Sequence, residues 1–131
     1  MKRLICSIIF CFFGLLLFCQ EKQITALGQD NPNASYRLFP TTNMWTFLKL
    51  NTEDGRIWQV QYAINNDENR FETYLNLTPL ATGSQKKPGR FTLYPTQNMW
   101  TFILLDTING STWQVQWSQD ADNRGIIPIS E

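Results

Sequence analysis

Along "IWQVQYA" the chain alternates apolar and polar side chains, and "TWQVQWS" repeats the alternation 55 positions later. Trp58, Val60 and Tyr62 point one way, Gln59 and Gln61 the other. Trp113, Val115 and Trp117 oppose Gln114 and Gln116 in the same manner. A period of two over five or more residues predicts a half-buried strand, here with the tryptophan side inward and the glutamine side wet. Upstream, "MWTFLKL" and "MWTFILL" are apolar on both sides, so alternation does not say which side is buried. Asp54-Gly55 and Asn109-Gly110 lie between the paired runs and predict hairpins with type I′ turns. "YRLF" and "FTLY" precede Pro40 and Pro95, which cannot donate to a ladder and so mark strand ends. A fourth, weaker strand follows the loops "INNDENR" and "SQDADNR", as "FETYL" or "GIIPI", and Pro128 makes the last an edge.

These elements form a tandem repeat. The 23 residues from Pro40 and the 23 from Pro95 share 14 identities. The likeness extends outward on both sides, with a one-residue gap before the fourth strand. The organisation is a leader over 1–19, a linker over 20–33, a first β-repeat over 34–75, a turn-rich linker over 76–88 and a second β-repeat over 89–131. Residues 34–131 are expected to form one all-β structural domain. A four-stranded meander cannot cover its own apolar face, whereas two copies can cover each other. Two tandem antiparallel meanders packed as a pseudo-twofold sandwich or barrel are therefore expected. The alternative is a pair of propeller-type blades, four-stranded units of this length, which need an oligomer to close a ring. Closure within a monomer is the expectation, with an oligomer as the alternative.

The leader changes the compartment. Lys2 and Arg3 precede an unbroken apolar run, Leu4 to Cys19, that is too short to span a bilayer and fits a signal peptide. The mature protein is then secreted or periplasmic. "LLFC" also resembles a lipobox in its Leu and Cys, although Phe18 stands where a small residue is usual. In that alternative Cys19 is acylated and the protein is an outer-membrane lipoprotein. Cys6, Cys11 and Cys19 are the only cysteines, so stability must come from packing without disulfides. Without Lys2 and Arg3, nine basic residues face eleven acidic ones, which gives no footprint for nucleic acid and no polybasic membrane patch.

The pattern "PT-x-NMWTF-x3-DT-x2-G-x2-WQVQW" resembles a repeat of small uncharacterised bacterial secreted proteins. The likeness is closest at Trp100–Phe102, Asp106–Thr107, Gly110 and Trp113–Trp117. The first repeat departs from it at Asn51, where the second has Asp106. The resemblance covers both repeats and implies no activity and no site residues. The two-blade alternative resembles, in architecture only, small bacterial and fungal lectins that build propellers from two-blade chains.

The chain holds no histidine and no cysteine beyond the leader, which removes Ser-His-Asp, Cys-His and histidine-metal chemistry. Asp67/Glu68 and Asp120/Asp122 occupy corresponding loops, but nothing in the sequence fixes the carboxylate separation that a glycosidase needs. They also lack the spacing of an EF-hand loop. No catalytic residue, metal or cofactor is implied. Three Asn-x-Ser/Thr sequons, at Asn33, Asn76 and Asn109, matter only in a eukaryotic secretory pathway. The aromatic and amide residues suit a binding module better. Trp45 and Trp100 beside Asn43, Asn98, Gln59, Gln61, Gln114 and Gln116 are candidate ligand contacts, with rings to stack on a pyranose and amides to bond its hydroxyls. The expected function is thus a secreted, non-enzymatic binding or interaction module with two repeat-related sites, its partner a glycan or another envelope protein. The alternatives are a structural envelope protein or lipoprotein without a small ligand, and, least favoured, a carboxylate-dependent hydrolase.

Overall fold

The computed structural model describes residues 31–129. The expected leader, Cys19 and most of the first linker lie outside them. Eight strands follow in order: β1 (Tyr36–Pro40), β2 (Thr46–Asn51), β3 (Ile57–Gln61), β4 (Phe71–Asn76), β5 (Phe91–Pro95), β6 (Thr101–Asp106), β7 (Thr112–Gln116) and β8 (Gly125–Ile129). They form two four-stranded antiparallel sheets, β1-β2-β3-β4 and β5-β6-β7-β8, each in chain order. The repeat, the two meanders and the strand ends at Pro40 and Pro95 are as the sequence predicts. Pro128 lies on the edge strand β8, opposite Trp113. The sheets stack as a sandwich, β2 against β5 and β4 against β8, and no barrel closes.

The register defines two faces on each sheet. The glutamine face of the first carries the row Phe39-Leu48-Gln59-Thr73, and that of the second carries Tyr94-Ile103-Gln114-Ile127. The tryptophan face carries Leu38-Lys49-Trp58-Tyr74 in the first and Leu93-Leu104-Trp113-Pro128 in the second. The second sheet buries its tryptophan face: Phe91, Leu93, Phe102, Leu104, Val115 and Trp117 are all in the core. The first sheet does the reverse. Phe39, Leu48, Leu50, Ile57 and Gln59 are buried, whereas Tyr36, Leu38, Tyr62 and Tyr74 are exposed.

Two corrections follow. A twofold axis would bury equivalent positions in both repeats, and this stack buries opposite ones, so the sheets are related head to tail. The sequence places Trp58, Val60 and Tyr62 inward, but in the first sheet they lie on the outward side, with Tyr62 exposed and Trp58 and Val60 half-buried. The glutamine face of that sheet buries apolar side chains from three strands. Each large one removed from water stabilises by roughly 1.5–3 kcal/mol, which outweighs the cost of taking one amide in with them.

The hairpins are present, but their turns differ from the predicted type I′. Gly55 and Gly110 have φ of 81° each, and among the described residues no non-glycine has positive φ, so only one residue per turn is left-handed. Asn51 N–H donates to Arg56 O at 2.9 Å and Gly55 N–H to Asn51 O at 3.0 Å, closing a four-residue loop. Asp106 N–H to Ser111 O and Gly110 N–H to Asp106 O, both 2.9 Å, repeat it. The side chains at the first turn position select this longer loop. Asn51 Oδ1 accepts from Glu53 N–H and Asp106 Oδ1 from Ile108 N–H, both at 2.9 Å, an Asx turn in each copy.

Candidate functional site

Opposite the hairpin turns, the loops Thr41–Trp45 and Thr96–Trp100 are built twice from the same bonds. Thr41 Oγ1 accepts from Asn43 N–H at 3.1 Å and donates toward Thr46 O at 2.8 Å. Thr96 Oγ1 accepts from Asn98 N–H at 3.1 Å and donates toward Thr101 O at 3.0 Å. Asn43 Oδ1 then accepts from Trp45 N–H, and Asn98 Oδ1 from Trp100 N–H, at 2.9 Å in both copies. Trp45 O accepts from Tyr62 N–H and Trp100 O from Trp117 N–H, each at 3.0 Å. Each tryptophan backbone is thus bonded on both sides, which leaves the loop little conformational freedom to lose on binding.

The rings are held as firmly. Trp45 packs on Tyr62 with centroids 5.2 Å apart, and Trp100 on Trp117 with centroids 4.6 Å apart. Trp117 is itself wholly buried, and its Nε1–H donates to Met99 O at 2.8 Å. Trp45 and Trp100 each keep 37% of their surface, and Met44 and Met99 beside them are exposed. The equal exposure matters, because the aromatic pairs Tyr36/Phe91, Phe39/Tyr94 and Tyr62/Trp117 each have one exposed and one buried member. Both loops lie at the same end of the sandwich. There Gln59 Oε1 accepts from Ser118 N–H at 3.2 Å and Gln119 Nε2 donates to Gln61 Oε1 at 3.0 Å, while the other end is joined by Phe91 N–H to Thr52 O at 2.9 Å.

The structure separates the remaining sequence-predicted contacts. Asn43 and Asn98 spend their Oδ1 atoms on the loop. Gln59 is fully buried between the sheets, and Gln61 is half-buried beside it. Their twins Gln114 and Gln116 lie on the outward face of the second sheet. There, with Asn123 and Arg124, they line a groove of about 290 Å³. Tryptophans and glutamines are therefore on opposite faces, not side by side. The signal that escapes sequence reading is Met44 and Met99, exposed next to each ring.

The carboxylates divide into two sets. Asp120 Oδ1 accepts from Asp122 N–H at 3.0 Å and caps a 3-10 turn, as Asn66 Oδ1 does for Glu68 N–H at 2.9 Å. Among the described residues no group of three acidic, histidine or cysteine side chains converges. Asp54 and Asp106 are buried at the hairpin end. Burial pushes the Asp106 carboxyl up, but the hydrogen bonds from Arg90, at 2.7 and 3.1 Å, and from the Ile108 and Asn109 amides outweigh it, so it titrates below an ordinary aspartate. Asp54 is lowered against the same burial by Arg56 and Lys86. Both are structural latches. Asn76 Nδ2 is likewise committed, to Gly55 O and Thr78 O. Among the described residues no helix is long and apolar enough to cross a membrane. No protein-family model, curated protein or solved structure matches the chain.

Proposed function

We propose that the chain is a secreted, non-enzymatic binding module that grips an extended glycan with its two tryptophan loops. The observation that carries the reading is the pair of repeat-related loops, each presenting Trp45 or Trp100 at the same exposure on the same scaffold of bonds. A half-exposed, preorganised indole offers a flat apolar surface at low entropic cost, which suits the face of a pyranose. Exposed Thr42 and Gln97 in the same loops supply polar contacts. Two such loops at one end of a rigid sandwich favour a polymer over a free monosaccharide, because the second contact is made intramolecularly.

The test is intrinsic fluorescence titrated with cello-, xylo-, manno- and chito-oligosaccharides of increasing length. The reading expects a saturable shift with one of them, weakened at least tenfold in Trp45→Ala or Trp100→Ala and abolished in the double variant. A saturable shift that survives the double variant would overturn it, as would no response to any of the series.

A further inference from the structure

From the head-to-tail stack we infer that the chain assembles with further copies of itself, the outward glutamine face of its second sheet seating the outward tryptophan face of the next copy's first sheet. The inference stands independently of the glycan reading. Inside the chain, the glutamine face of one repeat receives the tryptophan face of the following repeat. Among the described residues that interface uses up one face of each sheet and leaves the other two bare, and the bare two are a glutamine face and a tryptophan face. The sandwich therefore presents on its outer faces the two halves of the joint that holds its own middle together.

The bare faces have the chemistry of a joint. On the second sheet, Tyr94, Ile127 and Ile129 are 54%, 64% and 49% exposed, with Ile103, Leu105 and Thr112 between them and no charged side chain in either row. On the first sheet, Tyr36, Leu38 and Tyr74 are 53%, 50% and 60% exposed around half-buried Trp58. A monomer with two such faces is unusual, since large contiguous apolar surface marks an interaction site. The polar register repeats as well. Within the chain Gln59 takes the Ser118 N–H, and Phe91 N–H reaches Thr52 O. Their equivalents across copies are Gln114 with Ala63 N–H, and Tyr36 N–H with Thr107 O. Ile64, exposed in the turn after Ala63, then meets the groove beside Gln114, Ile126 and Ile127.

One substitution tunes the joint. Lys49 stands on the bare tryptophan face where Leu104 stands on the buried one. It lies 4.8 Å from the centre of the Trp58 ring and pairs with Glu72, the counterpart of Ile126. Burying that pair costs desolvation that a leucine and an isoleucine do not incur, so the joint between copies is weaker than the joint within one. A head-to-tail contact gives a ring where its rotation closes and a filament where it does not.

The test is sedimentation velocity on the full chain expressed with its leader and purified as the cell leaves it, over a hundredfold concentration range. The parent is expected to run as multiples of the chain mass that dissociate on dilution. Leu38→Asp and Ile127→Asp, each at an exposed position, are expected to run as monomers with unchanged circular dichroism. Mixed in equal amounts, they are expected to give a one-to-one heterodimer and nothing larger, since each retains the face the other has lost. Should either fail to fold, Tyr74→Glu and Tyr94→Glu replace them. Lys49→Leu with Glu72→Ile is expected to tighten assembly at least tenfold. A parent that stays monomeric at every concentration would overturn the inference. So would variants that still assemble, or a mixture that stays monomeric.

Discussion

Gln59 and Gln114 are the same residue of the repeat in opposite surroundings, and truncating each to alanine separates the two possible stackings. Gln59 is fully buried, and its Oε1 accepts the Ser118 N–H at 3.2 Å. Gln59→Ala removes that acceptor and leaves the half-buried Ser118 N–H to water, a loss of about 0.5–1.5 kcal/mol. It also takes one methylene from a packed interface, at about 0.8 kcal/mol. Some of this is returned, because Gln59 Nε2 has no hydrogen-bond partner and its burial is a standing cost. A net loss of about 1–2 kcal/mol remains. For a domain of roughly 100 residues that lowers Tm by about 4–16 °C. Gln114 is exposed, so Gln114→Ala belongs with surface changes worth no more than about 0.5 kcal/mol. Thermal and urea unfolding of both variants in the non-assembling Leu38→Asp background checks the difference. Equal losses would refute the head-to-tail assignment, because matched burial of the two glutamines is what a twofold stack requires.

The other predictions concern the turns, the latches and the tryptophan loop. Gly55→Ala should destabilise more than Gly110→Ala, although both sit at φ 81°. A Cβ at Gly55 meets Leu80 Cδ1 at 2.9 Å and one at Gly110 meets nothing, so the shared backbone strain of about 1–2 kcal/mol is joined by a clash only at Gly55. Urea midpoints in the same background read the order. Asp106 titrates below an ordinary aspartate when folded, so its contribution is complete above the unfolded value of 3.8 and is lost as pH falls through the lowered folded one. Asp106→Asn should flatten that acid limb between about pH 5 and pH 2 while the turn still forms, since Asn51 already makes the equivalent turn with Glu53 N–H at 2.9 Å. Trp117→Phe should cost about 1–3 kcal/mol through the lost bond to Met99 O, and should raise the amide exchange of Trp100 but not of Trp45.

Much of this architecture was legible before any coordinates. The strand pairs follow from period-two alternation, the edge position of β8 from Pro128, and the need for two stacked sheets from the apolar side that each repeat leaves uncovered. The direction of stacking was not legible. "MWTFLKL" and "MWTFILL" are apolar on both sides, so local pattern permits either face inward. The choice falls to contacts between positions some 60 residues apart, such as Gln59 with Ser118. Gln59 and Gln114 sit in the identical string "WQVQ", and no local rule tells one as buried and the other as wet. Lys49 and Glu72 are the local hints, charges at positions where the second repeat has Leu104 and Ile126. The turn type departs from the dipeptide rule, by which Asp54-Gly55 would be the two central residues of a tight turn. Asn51 and Asp106, three residues earlier, recruit the loop amides and make it longer. The loop tryptophans stand out by their repetition, but their neighbours do not follow from it, because Trp45 and Gln61 lie close in strand register and point to opposite faces.

Tyrosine accessibility tests the head-to-tail stack most directly. The chain's tyrosines are Tyr36, Tyr62, Tyr74 and Tyr94, and all four are at least 41% exposed in the stack. Nitration of the non-assembling Leu38→Asp chain, followed residue by residue with mass spectrometry, should modify all four at comparable rates. A stack of two glutamine faces would shield Tyr94 beside Phe39, and a stack of two tryptophan faces would shield Tyr36 and Tyr74. Selective protection of either set in the folded monomer would contradict the account.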